Sequence, residues 1–298
     1  MTSGGERRTS RGPVQRHPEI AFIVLALLFS WALWVPVILS ARGILPIAIH
    51  ANPLGSFGPA FSAIVVTWII AGHEGVREIT GRFRRLGASP GRVLGFVILP
   101  VAMFAISTTV HSLIQREVPR VANLDQWYLL IPLVPVILVL GGPLGEEIGW
   151  RGFLLPRLQS RFTPVVTSVL IAAAWLVWHL PLFWMEGAAQ KGSSIGAFAL
   201  TVIAFSMLFT WVFNGSCGSL WPVILFHTSI NTVGFIFPTI FPSVDESKIH
   251  GLLILVVITL VALAAVALTR GSLGFENTNR TLEAKDREGI DAAKRINE

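Results

Sequence analysis

Long apolar runs alternate with short polar connections along most of the chain. Each run is long enough for a helix to cross a hydrocarbon core of about 30 Å. Proline, glycine and charged residues separate the runs, as is typical of helix ends and turns. The apolar runs are residues 20–41, 53–72, 92–112, 127–160, 164–185, 195–214, 219–240 and 251–269. The pattern predicts an all-α fold, a polytopic transmembrane bundle of about eight spans.

The composition agrees with this pattern. The chain has 298 residues, of which 53% are hydrophobic and 13% charged, and its mean hydropathy is +0.67. A soluble domain carries about 25% charged residues. Cys217 is the only cysteine in the sequence, so no disulfide can form within the chain. We therefore expect an integral membrane protein with the lipid bilayer as its main surroundings.

The basic residues predict an orientation rather than a nucleic-acid partner. The net charge is +6, but the arginines and lysines are spread over the termini and short connections, with no basic face. With the N-terminus inside, 18 of the 23 basic residues fall on the inner side. The positive-inside rule then predicts that both termini are cytoplasmic. Abundant Ala, Gly, Val and Arg with little Lys indicates a GC-rich bacterial genome, hence a bacterial plasma membrane.

The chain divides into one domain and two tails. Residues 1–19 form a basic cytoplasmic tail, residues 20–270 a single transmembrane domain with its core at about 127–240, and residues 271–298 a polar cytoplasmic tail. The first apolar run is about twice as long as the hydrophobic part of a signal peptide, so we predict a retained span.

Few ionisable residues lie inside the apolar runs. Glu146 and Glu147 are the only acidic ones, and His179 and His227 are the only histidines well inside a run. At 1.5 Å per residue, Glu147 and His179 both lie roughly 22–26 Å from a turn near residues 162–164. His227 and Asn231 are four apart and share a helix face. We predict a buried polar site formed by spans 4, 5 and 7, because such residues in a membrane are usually functional.

Each of these features also has a purely structural interpretation. Glu147 and Arg151 are four apart, in the order that favours a helical ion pair. His179 could be a hydrogen-bonded core histidine, and His227 with Asn231 could link neighbouring helices. The GGPLG stretch at 141–145 could simply kink a long helix.

Taken together, three motifs resemble those of a known family. They are EEIGWR at 146–151, WLVWH at 175–179 and HTSIN at 227–231. In this order they are similar to the EExxxR, aromatic-xxxH and HxxxN elements of the CPBP intramembrane proteases. That family is named for CAAX proteases and bacteriocin processing, and is also called Abi. Its second element usually begins with Phe, where this chain has Trp175. The resemblance covers about residues 127 to 240.

The resemblance implies an endopeptidase that hydrolyses membrane-associated peptides or proteins. Glu146 would be the general base, and His179 would orient the attacking water or share its proton. His227 and Asn231 would donate hydrogen bonds to the developing oxyanion. For bacterial members the resemblance implies peptide processing, maturation of secreted peptides or self-protection against bacteriocins, without choosing among them.

Glu147 and Arg151 would hold these groups in place. The alternative from a different class is a transporter or channel, in which an intramembrane Glu–Arg pair and two histidines relay protons. The sequence shows no inverted repeat of the kind that many transporters have. Another alternative is a non-catalytic scaffold or immunity protein that retains the same cluster. The sequence does not set the oligomeric state.

No cofactor is favoured. Glu146, His179 and His227 are ligand types of a catalytic zinc site, so zinc or another divalent metal is an alternative. The HExxH signature is absent, and the residue one turn from His227 is Asn231, whose amide is a better hydrogen-bond donor than zinc ligand. We therefore predict metal-free activation of water by Glu146.

Overall fold

The computed structural model describes residues 12–50, 53–84, 87–245 and 247–275, and every regular element within these ranges is helical. Within the described residues, eight helical units are long and apolar enough to cross a membrane, which confirms the predicted all-α bundle. Numbered in chain order as spans 1 to 8, they are Pro18–Ala41, Pro53–Gly81, Pro90–Gln115, Trp127–Gln159, Pro164–Trp184, Ile195–Gly215, Leu220–Ile240 and Lys248–Leu268. Two short helices, Pro13–Arg16 and Pro242–Asp245, precede spans 1 and 8.

Polar caps explain where several spans begin. The side chains of Ser89, Thr163 and Ser194 accept hydrogen bonds from the backbone N–H three residues later, at 3.3–3.4 Å. Such caps satisfy backbone donors that the first helical turn leaves unpaired. Pro90 and Pro164 then occupy the first helical position, where proline costs no hydrogen bond. The polar and proline residues that separate the apolar runs therefore set where these helices begin.

Glycines allow span 4 to lie directly against span 2. A Cβ at Gly149 would lie 2.4 Å from Cβ of Pro59, and one at Gly145 would lie 2.5 Å from the carbonyl oxygen of Ser56. Only glycine permits the two backbones to approach this closely. This contact fixes the depth and rotation of the part of span 4 that carries the paired glutamates.

Span 2 is longer than the apolar run that predicted it. The run ends at residue 72, but the helix continues to Gly81 through a break at Gly72, where φ is +59°. The added segment, HEGVREITG, is polar, so a prediction from hydropathy alone ends the helix too early. Helical hydrogen bonding does not require apolar side chains, and this part extends beyond the apolar layer.

The tails predicted from the sequence are partly within the described residues. Residues 1–11 and 276–298 lie outside them. Of the predicted C-terminal tail, the stretch up to Phe275 packs back onto the bundle. Leu273 is fully buried, and a Cβ at Gly274 would lie 3.2 Å from the backbone nitrogen of Gly215. The first residues of this tail therefore belong to the folded domain.

Candidate active site

Span 4 is broken in the middle, where the sequence has GGPLG. One helix covers Leu130–Leu140, and a second begins at Pro143 after Gly141 and Gly142. Gly142 has φ +107°, a conformation that favours glycine. The second helix passes into a π-helical turn at Trp150–Leu154 and ends at Gln159. Single π turns are frequent at functional sites, and this one carries Arg151.

Glu146 lies in the first turn after the break and is buried, with 4% of its surface exposed. Its Oε2 accepts a hydrogen bond of 2.5 Å from the indole Nε1–H of Trp175 on span 5. A Cβ at Gly142 would lie 2.4 Å from Glu146 Oε1. Gly142 thus provides both the backbone turn and the space for this carboxylate. Within the described residues, Oε1 has no hydrogen-bond partner.

Glu147 has different partners from Glu146 and joins span 4 to span 7. Its Oε1 accepts a hydrogen bond of 3.2 Å from Arg151 Nη1 and one of 2.7 Å from His227 Nδ1. Glu147 and Arg151 are fully buried, and His227 is 4% exposed. The helical ion pair expected from the sequence is therefore present. The additional bond to His227 links helices that are 80 residues apart in the chain.

Two aromatic rings enclose the Arg151 guanidinium. Its carbon lies 5.0 Å from the ring centroid of Trp175 and 4.3 Å from that of Phe209 on span 6. A desolvated cation at this distance from aromatic rings gains about 2 kcal/mol or more. Arg151 Nε and Nη2 have no acceptor among the described residues, so these contacts matter for a buried charge. Sequence reasoning missed Phe209, because nothing distinguishes it from the other apolar residues of span 6.

The hydrogen bonds of His179 and His227 define which ring nitrogen carries a proton. His179 Nδ1 lies 2.8 Å from the backbone carbonyl oxygen of Trp175. A carbonyl only accepts, so Nδ1–H must donate, and Nε2 is the acceptor of the neutral ring. His227 Nδ1 likewise faces a carboxylate oxygen of Glu147. Neither Nε2 atom has a hydrogen-bond partner among the described residues.

Asn231 is half-buried and contacts the break in span 4. Its Nδ2 donates a hydrogen bond of 3.0 Å to the carbonyl oxygen of Gly141. One amide N–H is thus occupied, and the amide has a second. The bond holds span 7 against the point where span 4 changes direction.

Trp175 connects the groups that do not contact one another directly. Glu146 binds its indole, His179 binds its carbonyl group, and the ring centroid lies 5.9 Å from that of His227. From the sequence alone, Trp175 is an aromatic residue at a position where the CPBP family usually has Phe. The indole N–H, which Phe lacks, was the available signal for its contact with a carboxylate. Spans 4, 5 and 7 meet here, and span 6 adds Phe209.

The residues present do not form a clear metal cage. Across the described ranges, no group of three or more His, Cys, Asp or Glu side chains is arranged to hold a metal ion. A catalytic zinc site normally has three protein ligands. In this arrangement Glu146 contacts an indole and His227 contacts Glu147.

Two comparisons with known proteins cover this region. Residues 126–233 match the family model described as type II CAAX prenyl endopeptidase Rce1-like. A curated relative, CAAX prenyl protease 2 of Methanococcus maripaludis, is 26% identical over 153 residues. Both matches are to CAAX prenyl proteases, which agrees with the resemblance of the three motifs to the CPBP family. The alignment covers 47% of this chain and 56% of the relative. This chain therefore spans about half the length of the curated relative that it matches. The matched residues 126–233 include all three motifs, EEIGWR, WLVWH and HTSIN.

Proposed function

We propose that this protein is an intramembrane endopeptidase that hydrolyses peptide bonds of membrane-associated peptides or proteins. The observation that carries the proposal is the state of Glu146. One carboxylate oxygen is held by Trp175, and the other has no partner among the described residues. A buried carboxylate fixed at one oxygen can take a proton from water at the other. The family match supports peptide hydrolysis as the reaction.

His179 assists the same water molecule. Its Nδ1–H is committed to the Trp175 carbonyl oxygen, which leaves Nε2 as a hydrogen-bond acceptor of fixed direction. Such a group orients water or shares its proton during attack. The water oxygen then bonds to the peptide carbonyl carbon, and the water proton passes to Glu146. Glu146 returns this proton to the leaving nitrogen as the carbon–nitrogen bond breaks.

His227 and Asn231 stabilise the negative charge on the carbonyl oxygen. Asn231 offers the amide N–H that Gly141 does not occupy. His227 donates through Nε2–H, while Glu147 binds the other ring nitrogen. Removing one donor from an oxyanion site costs about 10²–10³ in rate.

Glu147 and Arg151 act by holding the site together. Glu147 bonds to both Arg151 and His227, and the arginine charge is balanced inside the bundle. Their contribution is positional, since neither the ion pair nor the aromatic rings around Arg151 need to contact the substrate.

The deciding experiment compares the purified protein with its Glu146→Gln variant on a library of membrane-tethered peptides. Because the relative is named a CAAX prenyl protease, each peptide is tested with and without a C-terminal prenyl-cysteine motif. We expect cleavage by the parent and loss in the variant. Cleavage by Glu146→Gln at the parental rate would contradict the assigned site and favour the transporter or scaffold interpretation.

The reaction is proposed to proceed without a metal. The protein is purified through a strong chelator, its bound metal is measured by elemental analysis, and cleavage is assayed. We expect full activity without stoichiometric metal. Activity that is lost on chelation and restored by zinc alone would overturn this mechanism while leaving peptide hydrolysis intact.

Both termini are proposed to face the cytoplasm. Single cysteines at Arg84 and Gln190, introduced after Cys217→Ser, are labelled in cells with a membrane-impermeant maleimide. The basic residues predict label at residue 190 only. Equal labelling at both positions would contradict this orientation.

A further inference from the structure

A polar cavity lies at the C-terminal end of span 4, away from the candidate active site in the middle of the span. It occupies about 720 Å³ where spans 2, 4 and 6 end and span 7 begins. Its walls include Arg82, Arg84, Gln159, Phe213 and Phe275, and none of the six predicted site residues. Small-molecule sites have volumes of about 300–1,000 Å³, so the space suits a headgroup-sized ligand.

Arg82 is held in the wall of this cavity by backbone and side-chain contacts. Its Nη1 donates to the carbonyl oxygen of Gly218 and its Nη2 to Glu78 Oε1, each at 3.3 Å. The guanidinium lies 5.7 Å from the ring centroid of Phe213. A Cβ at Gly218, where φ is +73°, would lie 2.9 Å from Nη1, so glycine makes room for the arginine. Arg82 is therefore placed by the fold.

Two donors in this wall have no acceptor. Gln159, the last residue of span 4, is 6% exposed, and its Nε2 has no hydrogen-bond partner among the described residues. The same holds for Arg82 Nε. A buried donor without an acceptor costs about 1–3 kcal/mol. Rotation of either side chain toward an acceptor oxygen of a ligand in the cavity would remove this cost.

The charge around the cavity favours an anion. Two arginines line it against one acidic residue, Glu78, whose side chain is 75% exposed. Burial lowers the pKa of the Arg82 guanidinium, and the Glu78 carboxylate opposes that shift. The surface around the cavity also carries more positive than negative side chains. Described arginines at this end of the bundle are Arg16, Arg77, Arg82, Arg84, Arg92, Arg157, Arg161 and Arg270, against Glu19, Glu74 and Glu78.

We propose that this cavity binds a phosphate ester, the group that anionic phospholipid headgroups and free phosphate compounds share. Phosphate oxygens match the planar donors of a guanidinium and accept from an amide N–H. The rings of Phe213 and Phe275 offer an apolar wall for the carbon stem of the ligand. Basic pockets at the ends of transmembrane helices bind lipid headgroups in this manner.

Binding is measured on the full chain in neutral detergent by the rise in melting temperature. One titration uses dioleoyl phosphatidylglycerol, a second inorganic phosphate, and a third dioleoylglycerol, which lacks the phosphate. We expect a saturable rise with phosphatidylglycerol and none with dioleoylglycerol. If inorganic phosphate also saturates and competes with the lipid, the source includes free phosphate; if it does not, the site is specific for headgroups.

Three variants separate the cavity from general surface charge. Arg82→Gln and Gln159→Leu should each weaken binding, Arg82→Gln by about tenfold or more, as for a hydrogen bond to a charged group. Arg77→Gln is the matched control, because Arg77 is at the same end, 60% exposed at its side chain and outside the cavity wall. It should bind as the parent does.

The proposal is overturned if neither phosphatidylglycerol nor inorganic phosphate gives a saturable rise. It is also overturned if Arg77→Gln weakens binding as much as Arg82→Gln does. If Arg82→Gln does not fold, Gln159→Leu decides alone, and binding equal to the parent would refute the site. Peptide cleavage is not used as a readout, so the result is independent of the proposed protease function.

Discussion

The two halves of span 4 differ in the charge of their side chains and in how deeply those side chains are buried. The first half, Leu130–Leu140, has no charged residue, and only Ile137 is buried. The second half, from Pro143 on, carries two glutamates and Arg151, all of them buried. In a bilayer, apolar side chains face lipid at no cost, whereas charges must be paired inside the protein. The more polar half is therefore the more deeply buried one.

The break at 141–142 is what separates the two halves. Gly142, with φ +107°, lets the chain change direction, and Gly145 and Gly149 then bring the second half against span 2. The same turn offers the Gly141 carbonyl oxygen to Asn231. Five substitutions would sharpen or break this contrast.

The largest expected effect is that of Glu146→Gln in the buried half. It keeps size and shape but removes the group that accepts a proton. We expect kcat to fall by about 10⁴, the upper range for a general base. The melting temperature should change little, and it is measured alongside cleavage. A fall in activity that only follows unfolding would mean that Glu146 is structural.

Arg151→Met should destabilise the protein most. Removing one partner of a buried ion pair costs about 3–5 kcal/mol, because the remaining charge stays buried. The measurement is denaturant unfolding in detergent. The double variant Glu147→Gln with Arg151→Met should lose less than the sum of the two single losses. Strict additivity would contradict the direct contact between the two side chains.

Asn231→Ala should lower kcat by about 10², the smaller cost of one oxyanion donor, since His227 remains. The stability loss should be small, because the residue is half-buried and, among the described residues, its side chain forms one hydrogen bond, to Gly141. Steady-state kinetics on a cleaved peptide checks this. A change in KM alone would instead indicate a role in substrate binding.

Trp175→Phe removes only the indole N–H that holds Glu146. A hydrogen bond to a charged group contributes about 1.5–3 kcal/mol, so kcat should fall roughly tenfold or more with KM unchanged. Trp178→Phe is the matched control, because its Nε1–H donates at 2.7 Å to Ser30 instead of Glu146. The control should lower stability and leave kcat unchanged. Equal kinetic losses in both would argue against a specific role of Trp175.

The smallest expected effect is that of Ile131→Ala in the first half of span 4. Ile131 is 67% exposed and faces the surroundings of the bundle. Substitutions at such positions usually change stability by less than about 0.5 kcal/mol. Melting temperature and cleavage should both match the parent. A large loss would show that this half is covered by a partner or by substrate.

Much of the site follows from spacing along single helices. The Glu147–Arg151 pair and the shared face of His227 and Asn231 are consequences of 3.6 residues per turn. The eight spans follow from run length against the thickness of a bilayer. These features are local, so the sequence by itself determined them.

The contacts between spans were decided only by the tertiary structure. The bond from His227 to Glu147, the indole of Trp175 on Glu146 and the ring of Phe209 over Arg151 join residues from different helices. Each depends on how far a helix is rotated and shifted against its neighbour. That arrangement is set by glycine contacts and by the break in span 4, and hydropathy carries no information about rotation once every face of a helix is apolar.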